Sequence, residues 1–166
     1  EAKKANIAVH AWINPYRVTM PNQTLTSLSA DNVARKNPSW VVKYGSQYYL
    51  NPGLPAVQNY LVETVKELVA NYDIDAVHMD DYFYPYKIAG QVFPDQEAFK
   101  KYGTSFKSIE DWRRNNVNEL VSKLYATIKS TKSHVQYGIS PFGVWRNKSV
   151  DATGSDTRAT SAYDDL

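Results

Sequence analysis

Three short segments of the chain alternate apolar residues with other residues, which is the pattern of a β-strand buried on one face. They span residues 7–14 ("IAVHAWIN"), 76–82 ("AVHMDDY") and 135–140 ("VQYGIS"). Helix-like sequence precedes each segment, and a loop rich in proline and aromatic residues follows it. The chain is therefore predicted to be a parallel α/β protein, in which strands alternate with helices.

Apolar residues that recur at spacings of three and four predict two long helices between these strands. The first covers residues 54–71, and the second covers residues 109–130 with Ser108 as its N-cap. A shorter helix before the second one is predicted to end at Gly103, because glycine commonly follows a helix C-terminus. Ahead of the first helix, residues 40–50 ("WVVKYGSQYYL") predict a β-hairpin.

The two faces of each predicted strand differ, because one is apolar and the other turns polar toward the strand's C-terminal end. An open sheet covered by helices on both sides would read apolar on both faces. A barrel instead packs its outer face on helices and carries an active site at the C-terminal rim of its strands. The alternation therefore favours a barrel, with these residues pointing inward: His10, Trp12, Asn14, His78, Asp80 and Ser140.

Composition narrows the class of protein without naming a function. The 166 residues, 43% of them hydrophobic, are enough for one domain with a sizeable core. A net charge of +2 without a run of Lys and Arg argues against a nucleic-acid partner, and no apolar stretch reaches the roughly 18 residues of a membrane span. Cysteine is absent, which excludes disulfides and thiol catalysis. The 13 Tyr, 4 Trp and 5 Phe are the informative excess, because aromatic faces stack well on sugar rings.

Three strand-end motifs, "HAWINPYRV", "VHMDDYFYP" and "GISPFGVWRN", resemble those of the bacterial glycosyl-hydrolase-like family 10, in the same order. The resemblance implies a TIM-type (β/α)8 barrel, of which this chain supplies the central portion, about strands three to five. It also implies a glycan substrate and a location in the bacterial cell envelope or outside the cell. A complete barrel takes roughly 250 residues. Residues 1–166 are therefore expected to be a partial barrel domain, truncated at both ends and inactive as an isolated fragment.

Asp80 and Asp81 are the candidate catalytic residues. Asp80 is predicted to act as nucleophile or base, because an inward carboxylate at the C-terminal rim of a barrel is the usual place for catalysis. Asp81 points to the other face and is predicted to be an orienting group; alternatively, the pair only caps the following turn. Glycoside hydrolysis normally needs a second carboxyl group. We expect that proton donor outside the chain, with Asp151 or Asp156 as the alternatives within it.

His10 and His78 are predicted to be inward imidazoles near Asp80, where they bind sugar hydroxyls or keep Asp80 ionised. Two ordinary core histidines would show the same pattern. Two histidines and an aspartate are also good zinc ligands, so a metal-dependent hydrolase is an alternative. A third histidine is missing from this end of the strands, which argues against a metal site. No metal or other cofactor is predicted.

Aromatic residues follow all three strands and predict a cleft in which rings stack on sugars, although some could form a hydrophobic lid instead. Arg17 and Arg146 each follow such a ring, and each is either a solvated loop charge or a donor of a fork of hydrogen bonds to a hydroxyl or carboxylate. The pattern "FGVWRN" favours the second role for Arg146 and leaves both roles open for Arg17. Together with His10, Asn14, His78 and Ser140, the predicted substrate-binding residues are these two arginines and Trp12, Tyr16, Tyr82, Tyr84, Phe142 and Trp145.

The leading hypothesis is a glycoside hydrolase that cleaves O-glycosidic bonds, with bacterial cell-wall polysaccharide as the suggested substrate. A glycan-binding domain without catalytic activity is the rival from a different class. Strands cut from a closed barrel also expose unpaired edges, so the fragment is expected to self-associate through them.

Overall fold

The computed structural model describes residues 1–141 and confirms an α/β fold with short parallel strands. In chain order, its strands and α-helices are β1 (His10–Trp12), α1 (Val33–Lys36), β2 (Val41–Tyr44), β3 (Gln47–Leu50), α2 (Pro55–Asn71), β4 (Ala76–Met79), α3 (Gln96–Tyr102), α4 (Ile109–Thr131) and β5 (Gln136–Ile139). Short 3-10 helices lie at Lys3–Ala5, Leu25–Ser27 and Pro38–Trp40. None of the helices within residues 1–141 is long and apolar enough to cross a membrane.

The main sheet has the order β1-β4-β5, and all of its pairings are parallel, as predicted. Each strand is shorter than the alternating segment that predicted it, because the regular backbone pairing between strands ends before the alternation does. Single hydrogen bonds extend the pairing by a residue, from the amide of Ile13 to the carbonyl of His78 and from the amide of Ser140 to the carbonyl of Met79, each 2.9 Å long. The C-terminal ends of the strands therefore meet at one edge of the sheet.

The predicted hairpin is confirmed as an antiparallel pair of β2 and β3. Gly45 turns it with a φ of 58°, a left-handed conformation that glycine adopts without steric cost. The hairpin packs over the segment that follows β1, because the amide of Val18 donates to the carbonyl of Tyr48 and the amide of Leu50 donates to the carbonyl of Tyr16. The hairpin thus lies beside the C-terminal end of the sheet.

Both predicted long helices are confirmed within one or two residues of their expected bounds. The side chain of Ser108 accepts a 3.1 Å hydrogen bond from the amide of Asp111 and caps α4. Pro55 occupies the first turn of α2, where its missing N–H is not needed. Gly103 follows α3 and donates its amide to the carbonyl of Phe99 at 2.7 Å.

The hydrophobic core lies between the sheet and the two long helices. Val77 and Met79 of β4 are 0% and 1% exposed and pack against α2 and α4. The helices contribute the buried side chains Val57, Leu61, Val65, Val69, Leu120, Leu124 and Ile128. Burying one such side chain contributes about 1.5–3 kcal/mol, so this layer dominates the stability of the fold. The predicted apolar, helix-facing side of the strands is confirmed.

A second, smaller core holds the long loop between β4 and α3. The ring of Phe93 packs edge-on against Tyr44 and Tyr84, with centroids 5.5 and 5.4 Å away. Beneath it, Arg113 of α4 binds both carboxylate oxygens of the fully buried Asp95, at 2.6 and 2.9 Å. This bidentate pair ties the loop to α4 and so fixes the backbone that follows β4.

Candidate active site

Three of the predicted site residues lie side by side at the C-terminal ends of the parallel strands. Trp12 pairs with His78, and Met79 pairs with Ile139, so Asn14, Asp80 and Ser140 end their strands side by side. The chain turns away directly after this edge, because Asn14 accepts a 3.2 Å hydrogen bond from the amide of Arg17. These residues form the predicted polar rim of the barrel.

Asp80 is the most unusual group at this edge. One of its carboxylate oxygens is buried and has no hydrogen-bond partner among the residues that the structure describes. A buried polar atom without a partner costs about 1–3 kcal/mol, so proteins tolerate few of them. Such an atom in a row of polar strand ends is suited to receive a hydrogen bond, or a bond, from a substrate.

His78 and Ser140 extend the polar surface around Asp80, since His78 lies two residues earlier on β4 and Ser140 lies beside Asp80 at the end of β5. The hydroxyl of Ser140 and Nε2 of His78 are 3.4 Å apart, and the imidazole tautomer decides which of them donates. Gly138 lies opposite His78 in the neighbouring strand, and a Cβ added there would still be 3.8 Å from Nδ1. The face opposite the core is therefore polar and open at this point.

His10 does not join this group. The pairing of β1 with β4 sets it opposite Ala76, four residues before Asp80. Its charge instead acts near Asp75, whose pKa is lowered first by the hydrogen bond from Lys3, then by the amide of Val9, and to a smaller extent by His10. The prediction that His10 lies near Asp80 is therefore wrong. Two-residue alternation shows which face of a strand a side chain is on, but it does not show where along the neighbouring strand that side chain lies.

The three-ligand metal site considered from the sequence would need His10, His78 and Asp80 together. Within residues 1–141 there is no group of three or more His, Cys, Asp or Glu side chains placed to hold a metal ion.

Asp81 has its own partner on the loop. It accepts a 2.5 Å hydrogen bond from the hydroxyl of Tyr86. Burial raises the pKa of Tyr86, and the bond to Asp81 raises that pKa further. The rings of Tyr82 and Tyr86 lie next to each other with centroids 5.5 Å apart. Asp81 therefore fixes the aromatic residues of the loop.

Two of the predicted stacking residues are buried. Tyr16 is 0% exposed within the main core, which contradicts the prediction that its ring stacks on a substrate. Tyr84 is 4% exposed, and its hydroxyl accepts a 3.0 Å hydrogen bond from Asn116 of α4, so it anchors the loop. Tight turns after the strands fold these rings inward, and burial raises the pKa of both hydroxyls.

The other described aromatic candidates are accessible. Trp12 is 72% exposed and Tyr82 is 42% exposed, as a stacking surface requires. Arg17 is exposed as well. Phe142, Trp145 and Arg146, and the two alternative proton donors Asp151 and Asp156, lie outside the described residues.

A cavity of about 270 Å³ lies between the hairpin and the loop after β4. The sequence interpretation missed the hairpin's part in it, which comes from Tyr44, Ser46, Gln47 and Tyr49. The signal was the density of tyrosines in "KYGSQYYL", which a plain hairpin does not need. The full lining is Asn14, Arg17, Tyr44, Ser46, Gln47, Tyr49, Tyr82, Phe83, Tyr84, Pro85, Tyr86 and Ile88.

Comparison with known proteins decides the family. The model of the family described as "Glycosyl hydrolase-like 10" matches residues 1–164. The chain belongs to the glycosyl hydrolase-like 10 family. The resemblance carried by the three strand-end motifs is thereby confirmed, and the chain is a glycoside hydrolase-like domain.

Two curated relatives of this family are named glycosyl hydrolases. The chain is 56% identical over 168 residues to "Glycosyl hydrolase YngK" of Bacillus subtilis, with 100% of the chain and 33% of that protein covered. It is 42% identical over 173 residues to "Glycosyl hydrolase DigH" of Escherichia coli, with 99% of the chain and 39% of that protein covered. The chain thus spans between a third and two fifths of the length of these relatives.

Solved structures of glycosidases share the fold at low sequence identity. The alpha-galactosidase of Lactobacillus brevis matches with a TM-score of 0.51 and 15% identity, covering 85% of this chain and 17% of that one. The alpha-L-fucosidase isoenzyme 2 of Paenibacillus thiaminolyticus matches with a TM-score of 0.50 and 14% identity, covering 82% of this chain and 21% of that one. Together with the parallel strands and packed helices, these matches identify the chain as part of a TIM-type barrel.

Proposed function

We propose that this glycosyl hydrolase-like 10 domain supplies the catalytic floor of an enzyme that cleaves O-glycosidic bonds of a glycan. The observation that carries the proposal is the buried carboxylate oxygen of Asp80, which lacks a partner within the described chain, at the C-terminal end of the middle strand. In a barrel enzyme, this end of a strand is where catalytic groups lie.

In the proposed mechanism, Asp80 acts at the anomeric carbon, either as the nucleophile or as the base that activates water. A second carboxyl group from another part of the barrel protonates the leaving oxygen. His78 and Ser140 bind sugar hydroxyls, and the exposed ring of Trp12 stacks on a sugar face. Asp81 contributes indirectly by holding Tyr86.

The substrate is proposed to be a bacterial cell-wall polysaccharide, and the enzyme is proposed to work in the cell envelope or outside the cell. Both statements rest on the family and on the accessible aromatic rings at the strand ends. Release of soluble sugars from purified cell-wall glycan, compared with release from unrelated polysaccharides, tests the substrate.

The catalytic role of Asp80 is tested by comparing Asp80→Asn with Asp81→Asn in the full-length protein. Asp80→Asn is expected to lower turnover by roughly 10²–10⁴-fold while glycan binding is retained, because the amide can neither attack nor take a proton. Asp81→Asn is expected to lower turnover much less. Unchanged turnover in Asp80→Asn would reject the catalytic role. Glycan binding by a wild-type protein without turnover would favour a binding domain.

A further inference from the structure

The direction of the Asp80 carboxylate depends on the backbone around it. One of its oxygens is buried and has no hydrogen-bond partner within residues 1–141. A catalytic group must be held within about 10–20° of its productive direction. Because the described chain places no donor on that oxygen, the residues that fix the backbone on either side of Asp80 decide where the carboxylate points.

The backbone before Asp80 is held by both neighbouring strands. The carbonyl of His78 accepts a 2.9 Å hydrogen bond from the amide of Ile13, and the carbonyl of Met79 accepts a 2.9 Å bond from the amide of Ser140. Since β4 is the middle strand of the described parallel sheet, these two bonds come from opposite sides. The strand is thus fixed up to Met79.

The backbone after Asp80 is held by its neighbour Asp81. The carboxylate of Asp81 accepts a 2.5 Å hydrogen bond from the hydroxyl of Tyr86, and its carbonyl accepts a 3.0 Å bond from the amide of Phe83. The first bond joins residues five positions apart and closes residues 81–86 into a small loop. Asp81 shares a peptide bond with Asp80, so any shift of Asp81 moves the backbone that carries the Asp80 carboxylate.

Tyr86 is a firmly placed donor for this bond. Its ring lies beside that of Tyr82, with centroids 5.5 Å apart, and the amide of Ile88 ties the same loop to the hydroxyl of Tyr44 at 2.7 Å. Burial raises the pKa of the Tyr86 hydroxyl, and the bond to Asp81 raises that pKa further, so the hydroxyl stays protonated at neutral pH and keeps donating. Hydrogen bonds to a charged acceptor are roughly twice as strong as neutral ones.

We infer that Tyr86 is a positioning residue: through its hydrogen bond to Asp81, it fixes the turn after β4 and so the direction of the Asp80 carboxylate. The inference rests on the proposed function, because it assumes that Asp80 reacts at the anomeric carbon. Tyr86 also lines the cavity beside the hairpin, so direct contact with the substrate is the alternative role. A positioning residue changes the rate of reaction, whereas a substrate contact changes the affinity for the glycan.

The first measurement is kcat per folded molecule of the full-length protein on purified cell-wall glycan. Tyr86→Phe is expected to lower kcat about tenfold, because a misplacement of about 1 Å can cost a factor of about 10² and the loss of one bond shifts the carboxylate less. Tyr72→Phe is the matched control, because it removes a hydroxyl from a 61% exposed ring at the C-terminal end of α2, and its kcat is expected to equal that of wild type. Thermal unfolding of each variant measures the folded fraction.

The second measurement tests whether Tyr86 acts through Asp81. If their bond carries the effect, Asp81→Ala lowers kcat as much as Tyr86→Phe does, and the double variant is no slower than either single variant. Asp81→Asn keeps an oxygen that accepts from Tyr86, so it is expected to retain most of the wild-type kcat. Losses that multiply in the double variant would show that the two residues act separately and would overturn the inference.

The third measurement separates positioning from substrate contact. Soluble fragments of purified cell-wall glycan are titrated calorimetrically into full-length Asp80→Asn protein, with and without Tyr86→Phe. The added substitution is expected to change the affinity by less than about twofold, because a positioning residue does not touch the glycan. A loss of about tenfold or more would make Tyr86 a substrate contact and overturn its positioning role.

Wild-type kcat in Tyr86→Phe would also overturn the inference. If Asp80→Asn is inactive, that result rejects the positioning role alone and leaves the proposed function standing. An Asp80→Asn protein with normal turnover would instead reject the proposed function, and the positioning role with it.

Discussion

The two faces of β4 differ in character: one packs in the hydrophobic core, and the other carries residues of the candidate site. On one face, Val77 and Met79 are 0% and 1% exposed and lie in the core between the sheet and the helices. On the other face, His78 is partly exposed and hydrogen bonds to Ser140, and the next inward residue, Asp80, keeps a carboxylate oxygen without a partner in the described chain. The core face is thus packed with apolar side chains, whereas the other face carries polar groups, among them a carboxylate oxygen without a partner in the described chain.

The largest expected effect concerns the buried ion pair that holds the loop after β4. Arg113→Met leaves Asp95 charged, fully buried and without its partner, so the free energy of unfolding is expected to fall by about 3–5 kcal/mol. Arg114→Met is the control, since Arg114 pairs with Asp111 at the surface, and about 0–1 kcal/mol is expected there. Urea unfolding of both variants measures the difference. Equal losses would contradict the anchoring role of the buried pair.

A somewhat smaller loss of stability is expected when a side chain is truncated in the core that packs against the apolar face of β4. Leu124 of α4 is 0% exposed, and Leu124→Ala is expected to lower the free energy of unfolding by about 2–5 kcal/mol through lost contacts and a cavity. His78→Ala, on the site face, is expected to lower it by only about 0.5–1.5 kcal/mol, since one hydrogen bond to Ser140 is lost. Chemical denaturation provides both values. A comparable loss in His78→Ala would remove the division between the two faces.

The Tyr86 hydroxyl links Asp81 to the loop. Its loss should lower the free energy of unfolding by less than the changes to the buried ion pair or to the core. Tyr86→Phe removes the 2.5 Å hydrogen bond to a charged group, for which a loss of about 1.5–3 kcal/mol is typical, and partial exposure places the effect at the lower end. Tyr72→Phe is the control, since it removes a tyrosine hydroxyl from a ring that is 61% exposed and lies at the C-terminal end of α2. Thermal unfolding compares the two variants. A Tyr86→Phe protein as stable as wild type would show that Asp81 does not depend on this bond.

The smallest expected effect lies at the opposite end of the sheet, where Asp75 accepts hydrogen bonds of 2.6 Å from Lys3 and from the amide of Val9. The bond from Lys3 is the main cause of its lowered pKa. A lowered folded-state pKa adds stability that is fully present above the ordinary aspartate value of about 4 and is lost as the pH falls through the folded-state value. The difference in melting temperature between wild type and Asp75→Asn should therefore shrink between about pH 5 and pH 2. A difference that stays constant over this range would rule out the assignment.

The sequence predicted the elements of this fold well because they depend on local periodicity. The two-residue alternation in "AVHMDDY" reflects which side chains meet the helices, and Ser108 caps α4 through contacts made within a few residues. The hairpin at Gly45 is equally local. Assignment to a barrel followed from the polar ends of one face.

The details of the site could not be predicted because they depend on register and on distant contacts. Alternation gave His10 the correct face, but only the pairing with Ala76 shows that it lies below the rim. Tyr16 follows a strand as Tyr82 does, yet the hairpin covers it and leaves Tyr82 exposed. The cavity beside Arg17 exists because two loops far apart in sequence meet there.

The most direct test of the central claim is glycan turnover per folded molecule in full-length proteins carrying Asp80→Asn or Val77→Ala. Asp80→Asn is predicted to lower turnover by roughly 10²–10⁴-fold and to leave the free energy of unfolding unchanged or higher. Val77→Ala is predicted to lower the free energy of unfolding, because a fully buried side chain is truncated, and to keep turnover per folded molecule close to wild type. Normal turnover in Asp80→Asn, or equal loss of turnover in both variants, would contradict the account.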